Sequence, residues 1–117
     1  MKVFVAAVGL AKSGDAIGCV AALNQAIQLQ STPDYLTERA ICKHKAKDLT
    51  GARTDLNLSL AQKPSLKAYA AAAKYAEEAS DRQACVAHYN AVISLAKGSK
   101  LEEQAHQGVE RCSLQKP

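Results

Sequence analysis

The chain has no tryptophan, one phenylalanine and four tyrosines, too few large rings to fill a core by bulk. Alanine is abundant instead, so apolar surface has to be buried by small side chains at close approach, which favours helices packed near one another. Also missing is any apolar run of the roughly 20 residues that a bilayer crossing needs, so no membrane partner is expected. The four cysteines, Cys19, Cys42, Cys85 and Cys112, show neither C-x-x-C spacing nor a dense disulfide framework. They read as reduced core residues of a cytoplasmic chain, with no metal site and no cofactor. Positive charge is in modest excess, 15 Lys and Arg against 11 Asp and Glu for a net +4, and it is dispersed. Such a balance permits attraction to acidic partners without demanding nucleic acid. With 117 residues and 48% hydrophobic content, the chain fits one compact domain or a short repeat array.

What is present is a period. Asp15, Asp48 and Asp81 are spaced by 33 residues. The same interval relates Cys19, Ala52 and Cys85, then Leu23, Leu56 and Tyr89, then Ala26, Ser59 and Val92, then Ile27, Leu60 and Ile93. It extends upstream to Val3, Leu36 and Tyr69 and to the small residues Ala7, Ala40 and Ala73. A fixed period of this size signals a repeat architecture.

In chain order, residues 2–12 carry apolar positions at helical spacing. The Val and Phe content of Lys2 to Val8 also suits a strand, but the repeat phase favours helix. Met1-Lys2 followed by Val3 to Ala11 has the outline of a short signal peptide; the phase shared with later repeats argues against it. Asp15 is placed to cap a second helix over 16–30, with Cys19, Leu23, Ala26 and Ile27 inward and Asn24, Gln25 and Gln28 outward. Thr32-Pro33 starts a third, from about Tyr35 to Lys47. A fourth lies within Asp48–Pro64, its inward face Ala52, Leu56, Ser59 and Leu60. The fifth covers Leu66 to Ala79. Ser80-Asp81-Arg82-Gln83 and Ser99-Lys100-Leu101-Glu102 have capping-box spacing and open a sixth helix, to about Lys97, and a seventh through about Cys112. Cys85, Tyr89, Val92, Ile93 and Leu95 point inward on the sixth, and Gly98 stops it. The polar seventh helix suits a terminal element that shields the preceding core.

These features resemble the tetratricopeptide repeat (TPR) family: a small residue midway through each first helix (Ala7, Ala40, Ala73), a turn at Gly14-Asp15, Asp48 or Ser80-Asp81, and a second helix reading small-x3-large-x2-small-large (Ala52, Leu56, Ser59, Leu60). The resemblance covers nearly the whole chain. It implies an all-α fold, a right-handed α-α superhelix of about seven antiparallel helices, as a single domain with repeats at about 1–32, 33–65 and 66–98 and a capping helix at about 99–112. The interval is one residue shorter than the family's, and the family's proline matches cleanly only at Pro64. An ankyrin reading fails because its Thr-Pro-Leu-His turn is absent.

Similar proteins hold a partner segment on the concave face of the first helices. That face maps here to Phe4, Val8, Ala11 and Lys12, then Thr37, Glu38, Ile41, His44 and Lys45, then Lys67, Ala70, Ala71, Lys74, Glu77 and Glu78. The resemblance thus implies a non-catalytic protein-protein interaction module, with Lys45, Lys67 and Lys74 attracting an acidic segment and Phe4, Val8 and Ile41 offering apolar contact. The branch that clamps a chaperone C-terminal carboxylate is not expected, because only Lys67 of its donor set is present. The alternative is self-association, as a homodimer or within a larger helical-repeat assembly, through the apolar N-terminal repeat. Nucleic acid is not expected, because Lys43, His44, Lys45 and Lys47 lack interleaved aromatics; Lys43 and Lys47 read as one solvated helix edge. No catalytic residues are assigned. Asp15-Ala16 stands where a phosphate loop needs Lys and Ser or Thr, and His44, His88 and His106 lie on separate helices.

Overall fold

A computed structural model describes Gly9 and residues 14–115. The helices are α1 Ala16–Leu29, α2 Pro33–Lys45, α3 Leu49–Gln62, α4 Leu66–Glu78, α5 Arg82–Leu95 and α6 Lys100–Ser113. No strand occurs among the described residues, and none of their helices is long and apolar enough to cross a membrane. The helix expected over 2–12 lies outside the described residues apart from Gly9, so six of the seven expected helices are seen.

The 33-residue period is written in the backbone. Gly14, Lys47 and Ser80 all take positive φ, at 89°, 70° and 55°. Each is followed by an aspartate cap of nearly identical conformation, with φ of −87°, −88° and −88° and ψ of 74°, 78° and 84°. At Lys47 and Ser80 the left-handed residue follows the end of a described helix. Asp48 N–H returns to the Lys43 carbonyl at 2.8 Å and Asp81 N–H to the Ala76 carbonyl at 2.9 Å, which occupies carbonyls a helix end leaves open. Only glycine adopts this conformation without steric cost. Lys47→Gly and Ser80→Gly should therefore each stabilise the protein, by about 0.5 kcal/mol after glycine's extra unfolded-state entropy is counted. Thermal melts will show this as higher midpoints, and a lower midpoint in both variants would contradict it.

The three aspartate caps differ in one respect. Asp15 and Asp48 accept from Gly18 and Gly51 N–H at 2.8 and 2.9 Å, whereas Asp81 accepts from Ala84 at 3.2 Å. A Cβ built on Gly18 or Gly51 would collide with the capping carboxylate; with alanine in the third repeat, the bond is longer. The alternate helices open on hydroxyls, Thr32 accepting from Tyr35 N–H and Ser65 from Ala68 N–H, both at 3.1 Å.

Neither expected capping box forms. Ser80 is the left-handed residue, so the cap falls to Asp81. The Ser99 hydroxyl turns back to donate to the Ala96 carbonyl at 2.7 Å, and the Glu102 carboxylate accepts from Gly98 N–H at 3.1 Å. The connection before α6 is also one residue longer than its counterparts, so α6 starts 34 rather than 33 residues after α4, and Gly98 absorbs the extra step at φ 85°.

The chain forms two compact units, residues 1–63 and 64–117. In the first, α1 packs on α2 and α2 on α3; in the second, α4 packs on α5 and α5 on α6. This packing of adjacent helices is what a helical solenoid uses. Cys19, Leu23 and Cys42 form a core cluster of the first unit. In the second, Ala76, Cys85 and Cys112 form one cluster, and Val92, Ala96 and Ala105 another.

The cysteines are not reduced. Cys19 pairs with Cys42 and Cys85 with Cys112, at Cα separations of 6.1 and 6.0 Å, and no cysteine remains free. Each bond joins the first turn of one helix to the last turns of the next, so α1 runs antiparallel to α2 and α5 to α6. The inward positions were the right ones; what the spacing concealed was that they face each other across consecutive helices.

Asp55 of α3 is 1% exposed, a buried charge on the same face as Ala52, Leu56 and Ser59. Arg39 of α2 grips it with both ends of its guanidinium, Nε to Oδ2 at 2.8 Å and Nη2 to Oδ1 at 2.7 Å. Lys43 Nζ reaches Oδ2 at 3.1 Å. The Arg39 guanidinium also donates to Asn24 Oδ1 at 3.1 Å, and its hydrogen bond to Asp55 raises its pKa above the ordinary value. Beside it, the Thr37 and Ser59 hydroxyls meet at 2.7 Å and Ser59 donates to the Pro33 carbonyl at 2.9 Å.

Three sequence expectations change here. Thr37, mapped to the open face, is buried against Ser59. Lys43 is an ion-pair partner rather than part of a solvated edge with Lys47, which lies beyond the end of α2. Leu95 is 53% exposed while Ala96 is 6% exposed: four residues past Val92, Ala96 takes the inward slot assigned to Leu95.

Candidate binding cavity

Three helices of the second unit surround a cavity of about 450 Å³. Ala70, Lys74 and Glu77 come from α4, Tyr89 and Val92 from α5, and Leu101, Gln104, Ala105, Gln107 and Arg111 from α6. Helical spacing explains the selection. Ala70, Lys74 and Glu77 are four and three residues apart, as are Leu101, Ala105 and Gly108, so each series lies along one helix face. Gly108 lets α6 approach: a Cβ there would sit 2.7 Å from two ring atoms of Tyr89. The floor is apolar, with Val92 and Ala105 both 1% exposed. Lys74, Gln104, Gln107 and Arg111 are exposed.

One end of the cavity is a closed polar cluster. Glu77 Oε2 accepts from Arg111 Nε at 2.7 Å, and Oε1 accepts from Arg111 Nη2 at 3.1 Å and from the Tyr89 hydroxyl at 2.8 Å. Gln115 Nε2 donates to the Glu77 carbonyl at 3.1 Å. The Arg111 hydrogen bond, helped by Tyr89 and opposed by burial, holds the Glu77 carboxyl below its ordinary value of 4.5. The Tyr89 hydroxyl is pushed up, first by burial and then by its bond to Glu77.

A carboxyl whose folded pKa is depressed stabilises the fold above its unfolded pKa, and that contribution is lost as pH falls through the folded value. The melting temperature should accordingly fall as pH is lowered below about 4.5, and Glu77→Gln should flatten part of that decline. An identical acid limb in wild type and variant would show that the cluster contributes nothing.

The structure distributes the residues proposed from sequence unevenly. Ala70 and Lys74 line the cavity. Lys67 is exposed on α4 but engaged in an interaction of its own. Ile41, His44 and Lys45 belong to α2 in the first unit, where Ile41 and His44 are half-buried and Lys45 is exposed. Phe4, Val8 and Lys12 lie outside the described residues. Sequence reasoning missed the α6 contribution, having assigned that helix to shielding. A signal existed: Ser99, one residue past the 33-residue register of Thr32 and Ser65, precedes α6 as those two precede α2 and α4, so α6 begins as another first helix.

A Glu77 carboxylate oxygen and the sulfurs of Cys85 and Cys112 lie within 4.8 Å of one another. Metal ligation by cysteine needs thiolate, and these two sulfurs are bonded to each other, which leaves one anionic donor. Of the histidines, His88 lies 6.0 Å from the Tyr69 ring, centroid to centroid.

No protein-family model matches the chain, and a search of curated proteins finds no match either.

Proposed function

We propose that the chain is a non-catalytic protein-interaction module of TPR-like, right-handed superhelical type, which holds a segment of a partner protein between α4 and α6. The α4–α6 cavity carries this reading: it has an apolar floor and a polar rim, and its size falls within the few hundred Å³ typical of ligand sites. Its walls are alternate helices, the ones that face a groove in stacked helix pairs. No nucleic-acid or cofactor role is proposed.

The test is capture of partners from the source cells, identified by mass spectrometry, with wild type and a Gln104→Ala/Gln107→Ala variant. Both positions are exposed, so the far-UV circular dichroism should be unchanged. A specific partner should be lost from the variant; capture that is indifferent to these substitutions removes the cavity from consideration.

A second reading, self-association through the N-terminal repeat, draws support from α1, where Ile17 is 78% and Leu29 85% exposed. Light scattering decides it, since a strict monomer at high concentration would eliminate it. The two disulfides also favour an oxidising compartment over the cytoplasm as the working location.

A further inference from the structure

Charge in the cavity does not balance. Its charged lining residues are Lys74, Glu77 and Arg111. Both Glu77 oxygens are occupied, and all of that occupancy comes from Arg111 and Tyr89, so the anion and the guanidinium neutralise each other. Lys74 lies one turn before Glu77 on α4 but makes no hydrogen bond or ion pair among the described residues. It is the surplus cation. Gln104 and Gln107, three residues apart on α6, are exposed, and their amides likewise make no hydrogen bond among the described residues. Each amide offers donors and an acceptor, the set needed to pair with the N–H and C=O groups of an extended backbone. Between these groups lie the half-buried Ala70 and Leu101, a surface for an aliphatic side chain, with Val92 and Ala105 buried beneath them.

Resting on the groove reading above, we infer that the occupant is an extended protein segment with an acidic side chain beside an aliphatic one. The carboxylate pairs with Lys74, the aliphatic group lies against Ala70 and Leu101, and Gln104 and Gln107 hold the backbone. Lys45 and Lys67 are not needed for this recognition. Arg111 is not available for it while it holds Glu77.

The inference is tested by panning a random dodecapeptide display library on the full chain, then measuring selected peptides by fluorescence anisotropy. The proteins compared are wild type, Lys74→Glu and Gln104→Ala/Gln107→Ala. Wild type should enrich Asp or Glu next to Val, Leu or Ile. Replacing that acid with its amide should weaken binding about five- to tenfold, with the difference shrinking as salt rises. Lys74→Glu should instead prefer peptides carrying Lys at the same place. Enriched peptides without an acid, bound equally by Lys74→Glu but lost in the double glutamine variant, would overturn the inference and leave the groove reading standing. Displacement by free glutamate as effective as by peptide would also overturn it, in favour of a small acid. No enrichment above background would overturn both.

Discussion

Asp55→Ala is expected to destabilise the first unit by about 3–5 kcal/mol, the usual cost of deleting one partner from a buried ion pair. The size follows from what is left behind. Asp55 is 1% exposed, and the side chains of Arg39 and Lys43 retain only 17% and 20% of their exposure. Without the carboxylate, two cations share a confined site and two guanidinium N–H groups lose their acceptor. Asp55→Asn keeps an acceptor but not the charge, so it should fall between wild type and alanine. Lys43→Ala should cost less than either, because Arg39 keeps both of its bonds to Asp55. Urea unfolding followed by circular dichroism measures the series, and an alanine variant within about 1 kcal/mol of wild type would refute this account.

Loss of the disulfides should have a comparable effect. They close loops with sequence separations of 23 and 27 residues, for which chain-entropy reasoning gives about 3.5 kcal/mol each. Paired alanine substitutions at Cys19 and Cys42, or at Cys85 and Cys112, should each lower the melting temperature by many degrees. Excess reductant should reproduce the combined loss. Protein purified without reductant and then denatured should react with a thiol reagent at none of its four cysteines; four reactive thiols would contradict both bonds.

Much of the architecture was legible because it is local and repeated. Asp15 announces a cap, Asp48 and Ser80-Asp81 mark turns at the same interval, and Thr32-Pro33 announces a helix start, each from neighbours a few residues away; at the third turn the cap passes from the expected Ser80 to Asp81. The apolar stripe through Cys19, Leu23 and Ala26 places its helix face in the same way. What escaped depends on apposition between helices. Asp55 lies on the inward stripe of α3, but an acid there makes sense only once Arg39 and Lys43 are seen opposite it. The disulfides joined residues whose separations, 23 and 27, share no simple spacing rule. The cavity depends on Gly108 beneath Tyr89, a contact between helices that no local pattern encodes. Leu95 shows the limit of periodicity: three or four residues past Val92 both satisfy a helix, and packing chose Ala96.

The cross-links also bear on how the chain would respond to force. Cys19–Cys42 and Cys85–Cys112 each tie one helix to the next and leave the span around Lys63-Pro64 outside both loops. Pulled from its two ends, the oxidised chain cannot pay out the segments between paired cysteines. At about 3.4 Å per extended residue, those loops withhold roughly 80 and 90 Å of contour length. The middle of the chain would therefore carry the extension while α2 and much of α6 stayed tethered to their neighbours.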